Sequence, residues 1–260
     1  MKSSILVCSV VVLTMCFALP TLAKNLQDGL VGYWAFDGNA DDSSGNAYHA
    51  EENGDVAYAQ QGRIDEALNL EATGAYLVVP NNVDTQLRST EAYTVSIHLM
   101  ANSIAHGDLL YHGLGCSTWA SWFLGMEGAE PDAALNAGFL VFGVRSANGA
   151  AYVAAMSESE TDSWVHIAVT YKDDVLTMYV DGVEAESSDI GILPYDSQEK
   201  LHIGGDPGCG GRSWYNGLID DLRLYNRALT MDEIKSLAKG TLAVDLSGSL
   251  TTTWGKLKKK

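Results

Sequence analysis

Two groups of residues in this 260-residue chain have the types and spacing to do chemistry. The first is the run 37–46, Asp-Gly-Asn-Ala-Asp-Asp-Ser-Ser-Gly-Asn, where carboxylate, amide and hydroxyl oxygens alternate with glycines. Such a mix suits a hard cation of irregular coordination, although the spacing is not that of an EF-hand. The same composition also closes a turn on its own backbone N–H groups. Asp220 adds to that choice. Read with period two, residues 218–225 place Leu218, Leu222 and Leu224 on one face and Ile219, Arg223 and Tyr225 on the other. Asp220 then falls among leucines, where a carboxylate is costly unless it is paired, hydrogen-bonded or metal-bound. Its best partner is the loop 37–46, so the two ends of the domain are expected to meet.

The second group lies in two glycine-rich segments, 111–122 and 204–215, which hold His112, Trp119, Asp206, Arg212, Trp214 and Tyr215. Sugar rings stack their apolar C–H faces on aromatic rings while their hydroxyls bond to Asp, Arg and His. The competing reading is that these aromatics are core residues, as Trp122 with Phe123 and Leu124 is taken to be. Cys116 and Cys209 also lie in these segments. Once Cys8 and Cys16 leave with a signal peptide they are an even pair, expected to form a disulfide that staples the segments together. A zinc site is the alternative, with His112 and His202 as its only plausible further ligands. His98, Trp164 and His166 sit in apolar strand patterns and read as packing or hydrogen-bonding residues.

The elements that must carry these residues are strands. Short alternating or apolar runs bounded by Gly, Asp and Asn predict strands at 30–36, 67–71, 76–79, 93–101, 109–112, 122–126, 139–145, 152–156, 164–171, 175–180, 201–203 and 218–225. Residues 172–174 read as a hairpin connection, and Asp181-Gly182 as a two-residue turn into Val183. One helix is expected: Thr230 and Glu233 form a capping box ahead of Ile234 and Leu237, giving a helix over 231–239 that stops at Gly240. So many short strands without intervening helices predict a sandwich or jelly roll.

Residues 1–23 have the basic start, apolar run and small-residue exit of a cleavable signal peptide, and the apolar run is short for a membrane span. The mature chain is therefore expected to be secreted, with one domain over 24–240 and a flexible, basic-ended tail over 241–260. Its charge limits the partners. Without Lys2, 15 basic residues stand against 33 acidic ones, and four of the 15 are Lys256, Lys258, Lys259 and Lys260. Nucleic acid is a poor partner for so acidic a body, whereas divalent cations and neutral ligands such as sugars suit it.

Three segments in order resemble the laminin-G-like domains of the concanavalin A-like lectin/glucanase superfamily. They are Gly-Leu-Val-Gly-Tyr-Trp-Ala-Phe-Asp-Gly-Asn-Ala at 29–40 with Asp-Ser-Ser-Gly-Asn at 42–46, Asp-Ser-Trp-Val-His-Ile-Ala-Val-Thr-Tyr at 162–171 with the hairpin strand 176–182, and the closing strand 217–229. The resemblance spans roughly 29–238. It implies an all-β, two-sheet antiparallel jelly-roll sandwich with one short C-terminal helix. It also implies a structural calcium ion where the first loop meets the last strand, with Asp37, Asn39, Asp42 and Asp220 as ligands and Asn46 beside them. Carbohydrate binding or cell adhesion is the function it implies, with a glycan or an extracellular or cell-surface protein as partner.

The superfamily also contains glycoside hydrolases, which need two carboxyls facing one cleft. The nearest text here, Glu130-Pro131-Asp132, lacks a third acid and has a proline unsuited to a central strand. Glu158 and Glu160 read as part of a turn. No nucleophile elbow, H-E-x-x-H helix or phosphate loop is present. The expectation is a non-catalytic module, with a protein-interaction domain as the alternative and a polysaccharide hydrolase or lyase third.

Overall fold

The computed structural model describes residues 25–71, 74–79, 92–103, 105–113, 122–127, 138–146, 149–158, 161–190, 200–205, 207–209 and 214–240. Within them the strands, in chain order, begin with β1 (Leu30–Trp34), β2 (Glu51–Asn53), β3 (Ala57–Ala59), β4 (Ala67–Asn69) and β5 (Tyr76–Val79). Then come β6 (Ala92–Ala101), β7 (Gly107–His112), β8 (Trp122–Glu127), β9 (Phe139–Ser146) and β10 (Gly149–Glu158). The last five are β11 (Val165–Lys172), β12 (Val175–Val180), β13 (Val183–Asp189), β14 (Leu201–Ile203) and β15 (Gly217–Tyr225). One α-helix, α1 (Met231–Ala238), follows, with the capping box formed as expected.

These strands make two antiparallel sheets. The eight-stranded sheet runs β13-β12-β11-β6-β15-β4-β3, with β1 also paired to β15, and the seven-stranded sheet runs β10-β9-β8-β7-β14-β5-β2. Alternate residues of both close on one core, including Trp34, Val95, Ile97, Leu99, Ile167, Val169, Leu222 and Leu224 from the first sheet and Leu77, Leu110, Leu124, Phe142, Leu201 and Ile203 from the second. A small second cluster of Leu26, Ala168, Tyr225, Leu229, Ile234 and Leu237 packs α1 on the outward face of the first sheet.

The two hairpin turns form as the sequence suggests. Asp173 and Asp174 both take positive φ (51° and 64°) between paired Lys172 and Val175, and Asp181 and Gly182 do so (49° and 77°) between Val180 and Val183. Mirror-image turns of this kind match the twist of the strands they join. Tyr171 Oη donates to Asp174 Oδ1 at 2.9 Å, which helps hold the first turn without a glycine.

Three strands were not anticipated. β2 and β3 are three residues long and largely exposed, and β13, Val-Glu-Ala-Glu-Ser-Ser-Asp, is exposed almost throughout. With no face to bury they carry no alternation, and they sit at sheet edges, where charge is protective. A further correction concerns β15. Its register shifts between Asp220 and Arg223, and Asp221 takes φ of 54°, the mark of a bulge. The extra residue reverses the phase of the strand. Ile219, Leu222 and Leu224 face the core, whereas Asp220 lies across from His98, and Arg223 across from Ser96, on the outward face. Asp220 is therefore not among the core leucines.

Candidate functional site

The outward face of the eight-stranded sheet holds a buried polar cluster. Pairing puts His166, His98 and Asp220 in one row and Ala168, Ser96 and Arg223 in the next. Arg223 Nη2 donates to Asp221 Oδ1 at 2.9 Å, Tyr33 Oη donates to the same oxygen at 2.7 Å, and the guanidinium lies 4.1 Å over the Tyr33 ring. Ser96 Oγ and His166 Nε2 are 2.9 Å apart. Burial holds both histidines toward the neutral form, His98 at about 4 and His166 well below its ordinary value. Although a serine beside a histidine suggests a nucleophile and base, Ser96 and His166 are each 1% exposed and His166 Nδ1 has no partner. This cluster is walled off from any substrate.

Asp220 is fully buried. Its Oδ2 accepts from Ile64 N at 2.8 Å, tying the 60–66 segment over the sheet, while Oδ1 has no partner. Burial, with the nearby charges of Asp221 and Asp37, raises its carboxyl to about 7, against the opposing pull of the Ile64 and Arg63 N–H groups.

The loop 37–46 is organised around a different acid. Asp42 Oδ1 accepts from Tyr33 N (2.9 Å) and Ser44 N (2.8 Å), and Oδ2 from Ser44 Oγ (2.8 Å) and Tyr48 N (2.9 Å). A carboxylate has about four acceptor positions, so those of Asp42 are occupied by protein donors. Asn39 Oδ1 caps Asp41 N, Asp37 Oδ1 accepts from Glu66 N, and Asn46 donates its amide to the Val31 carbonyl at 2.9 Å. As placed, Asp37, Asn39, Asp42, Asn46 and Asp220 do not fit a single calcium shell: each serves hydrogen bonds of its own. Among the described residues no group of three or more His, Cys, Asp or Glu is arranged for a metal ion. The two ends of the domain nevertheless meet, since β1 pairs with β15 and Arg227 donates to the Asp28 carbonyl while gripping Glu233 with both terminal nitrogens (2.7 and 3.0 Å). Burial alone would raise the Glu233 carboxyl, but the Arg227 and Thr230 bonds bring it below its ordinary value.

The aromatic group divides. Trp119, Cys116, Asp206 and Arg212 lie outside the described residues, as does the Cys209 side chain, although Pro207–Cys209 forms a short 3-10 turn. His112 is buried and stacks on Trp122, with ring centroids 5.9 Å apart, and Tyr215 is a core residue. Neither faces a ligand, which corrects that part of the expected patch. Trp214 does stand at the surface, half-buried and stacked on Tyr76 at 5.5 Å, and Tyr76 in turn touches the His202 ring at 6.1 Å. The segment before β15 carries Trp214 to β7, where it bridges to Asp108. Tyr76 is not among the residues the sequence singles out, although its strand is read there with the bounds found. The signal was its alternation, since Leu77 and Val79 face the core and leave Tyr76 and Val78 on the outside.

Two antiparallel sheets around one core, closed by one short helix, define a jelly-roll sandwich. The model of the concanavalin A-like lectin/glucanases superfamily, of laminin G-like type, matches residues 71–235. The chain belongs to that family.

Solved structures agree on the fold. The binding domain of Paraclostridial Mosquitocidal Protein 1 is 19% identical with a TM-score of 0.64, over 82% of this chain and 52% of that one. Domain 4 of AbnA, a GH43 extracellular arabinanase from Geobacillus stearothermophilus solved with arabinotriose, is 21% identical with a TM-score of 0.61, over 80% of this chain and 98% of that one. Among curated proteins, Adhesion G-protein coupled receptor V1 of Danio rerio is 30% identical over 96 residues, 35% of this chain and 2% of the receptor. The chain thus spans about half of the first structure and a small fraction of the receptor. No helix among the described residues is long and apolar enough to cross a membrane.

Proposed function

We propose that this chain is a non-catalytic, secreted carbohydrate-binding module. The observation that carries the reading is the half-buried Trp214 stacked on Tyr76 beside His202, an apolar platform next to a polar ring on the outward face of the seven-stranded sheet. Stacked aromatics at a surface offer rigid area to the C–H face of a sugar at little entropic cost. That one structure of like fold is a binding domain and another, domain 4 of an arabinanase, was solved with arabinotriose supports it. The loop 37–46 is read as self-supporting through Asp42, without calcium, and Cys116–Cys209 as a disulfide.

The test is glycan-array binding by the full mature chain, by Trp214→Ala and by Tyr76→Ala. Binding by the parent that both variants lose, with unchanged melting temperatures, supports the proposal. A second reading is a protein-interaction module, favoured by the match to an adhesion receptor. Capture of one protein partner without any glycan signal would select it.

A further inference from the structure

The sealed side of the eight-stranded sheet is closed by three pieces that meet over two histidines. Ile234 and Leu237 of α1 share a buried cluster with Ala168, which stands two residues from His166 on β11. A Cβ at Gly182 would fall 3.1 Å from Lys235 Cα, and one at Gly240 would fall 3.1 Å from Ile64 Cδ1. The C-terminal half of α1 is thus wedged between the Asp181-Gly182 turn and the 60–66 segment. Beneath it the His98 and His166 rings lie 4.8 Å apart, each 1% exposed.

The groups around the two rings can carry one added positive charge but not two. His98 meets the Ala238 carbonyl in the last turn of α1, a position that favours an imidazolium. His166 has no such outlet. Its Nε2 lies 2.9 Å from the Ser96 hydroxyl and its Nδ1 has no partner, while Asp181 Oδ1 accepts only the backbone N–H. From β15, Asp221 faces His98, but its carboxylate already accepts from Arg223 and Tyr33. Asp220, across from His98, takes the Ile64 N–H. Arg223 and Arg63 add positive charge near both rings. On α1 itself Lys235 and Lys239 are exposed, and Glu233 is held by Arg227 at the other end of the helix. A second proton would therefore set two imidazolium rings 4.8 Å apart in a closed space beside two arginines.

We infer that α1 is an acid-released latch: protonation of His98 and His166 frees its C-terminal half from the sheet while the sandwich stays folded. With the helix down, burial holds both rings neutral. Once it lifts they regain water and titrate near their ordinary value, so acid drives opening by up to about a hundredfold per histidine at pH 4.5. The 60–66 segment responds the other way. Its cover raises the Asp220 carboxyl to about 7, so protonation below that pH favours the covered state and the segment stays down. Lifting α1 bares Ala168 and Tyr225 together with its own Ile234 and Leu237, an apolar surface present only in acid.

Hydrogen–deuterium exchange of the full chain at pH 7 and pH 4.5, corrected for the pH dependence of intrinsic exchange, tests the latch segment by segment. The expected result is a tenfold or greater loss of protection in 231–240, with the 60–66 segment and β9 keeping theirs. Combining His98→Gln with His166→Gln should remove the pH dependence. Imidazole NMR titration of the parent gives a reading that needs no variant: both rings should take up protons over the pH interval in which α1 loses protection. Unchanged protection of 231–240, a loss shared by β9, or a loss that persists in the double variant would each overturn the latch. Rings that stay neutral while α1 loosens would overturn it as well.

Discussion

The two sheets have the same inward chemistry and opposite outward chemistry. On the eight-stranded sheet the outward side is roofed by α1 and by the segment that Asp220 holds, and the roof seals in His98, His166, Asp220, Asp221 and Arg223. Several of their polar atoms, including His166 Nδ1, Asp220 Oδ1 and Asp221 Oδ2, find no partner. On the seven-stranded sheet the outward side is aromatic, with Tyr76, Phe123 and Trp214 half-buried at its margins. A sealed polar face spends stability on desolvation, and a half-open aromatic face keeps area in reserve for a partner. Substitutions on the first should therefore show in melting, and substitutions on the second in binding.

The sharpest way to break this contrast is Arg223→Ala. It strips the buried Asp221 carboxylate of its cation and leaves only the Tyr33 hydroxyl on Oδ1. The expected loss is about 3–5 kcal/mol by urea unfolding. A loss below about 1 kcal/mol would mean that the face is wetter than its burial implies.

Asp220→Asn should have the opposite sign. With its carboxyl raised to about 7 by burial, the folded state is penalised above that pH, and an amide oxygen can still accept from Ile64 N. At pH 8 the variant should be more stable than the parent by about 1–2 kcal/mol, with the advantage vanishing as pH falls toward 4. Calcium or EGTA should leave the melting temperature of both proteins unmoved. A calcium-dependent rise that Asp220→Asn abolishes would instead restore a metal shell joining the chain ends.

Acid is the third probe. His98 and His166 stay neutral when folded but take up protons in the unfolded chain near 6.5, so their contribution to stability is lost as pH falls below 6.5, for His98 down to about 4. Asp220 works against them, because its penalty is relieved over the range from about 7 down to 3.8. Two histidines against one aspartate leave a net loss of about 1 kcal/mol at pH 5. Thermal melts from pH 8 to pH 5 should stay nearly level down to about pH 7 and then fall, and His98→Gln should flatten the acid side. A parent curve that keeps rising to pH 5 would show the histidines to be solvated. The smallest effect belongs to the aromatic side: Trp214→Ala should change stability by less than about 1 kcal/mol while removing glycan binding. A large drop in melting temperature would make Trp214 a structural residue.

The sequence made legible whatever a strand or helix writes in its own period. The buried strands, both hairpin turns and the Thr230–Glu233 capping box are local patterns, and each is where it was expected. Hidden were features that depend on one residue changing a register. The bulge at Asp221 turned Asp220 from the leucine face to the histidine face, and nothing in a period-two count marks an extra residue. Likewise Tyr215 and Trp214 are neighbours, yet one is core and the other surface, and only the alternation fixed by the next strand decides which. The aspartates of 37–46 suited a cation or a turn equally well by composition. In the structure the acceptor positions of Asp42 meet N–H and O–H donors, a partnership no composition count can foresee.

The pairing of β1 with β15 sets how the domain responds to tension. Leu30 faces Tyr225 and Trp34 faces Leu222, so the start of the first strand and the end of the last lie side by side at one end of the pair. A force pulling the two ends of the domain apart therefore acts across the hydrogen bonds and opens them one after another, like a zipper, where a shear geometry would load them all at once. The Arg227–Glu233 clamp and α1 must yield first. Single-molecule pulling from both ends should accordingly show a low unfolding force, and a module anchored at its two ends would let go of its fold before a shear-loaded neighbour did.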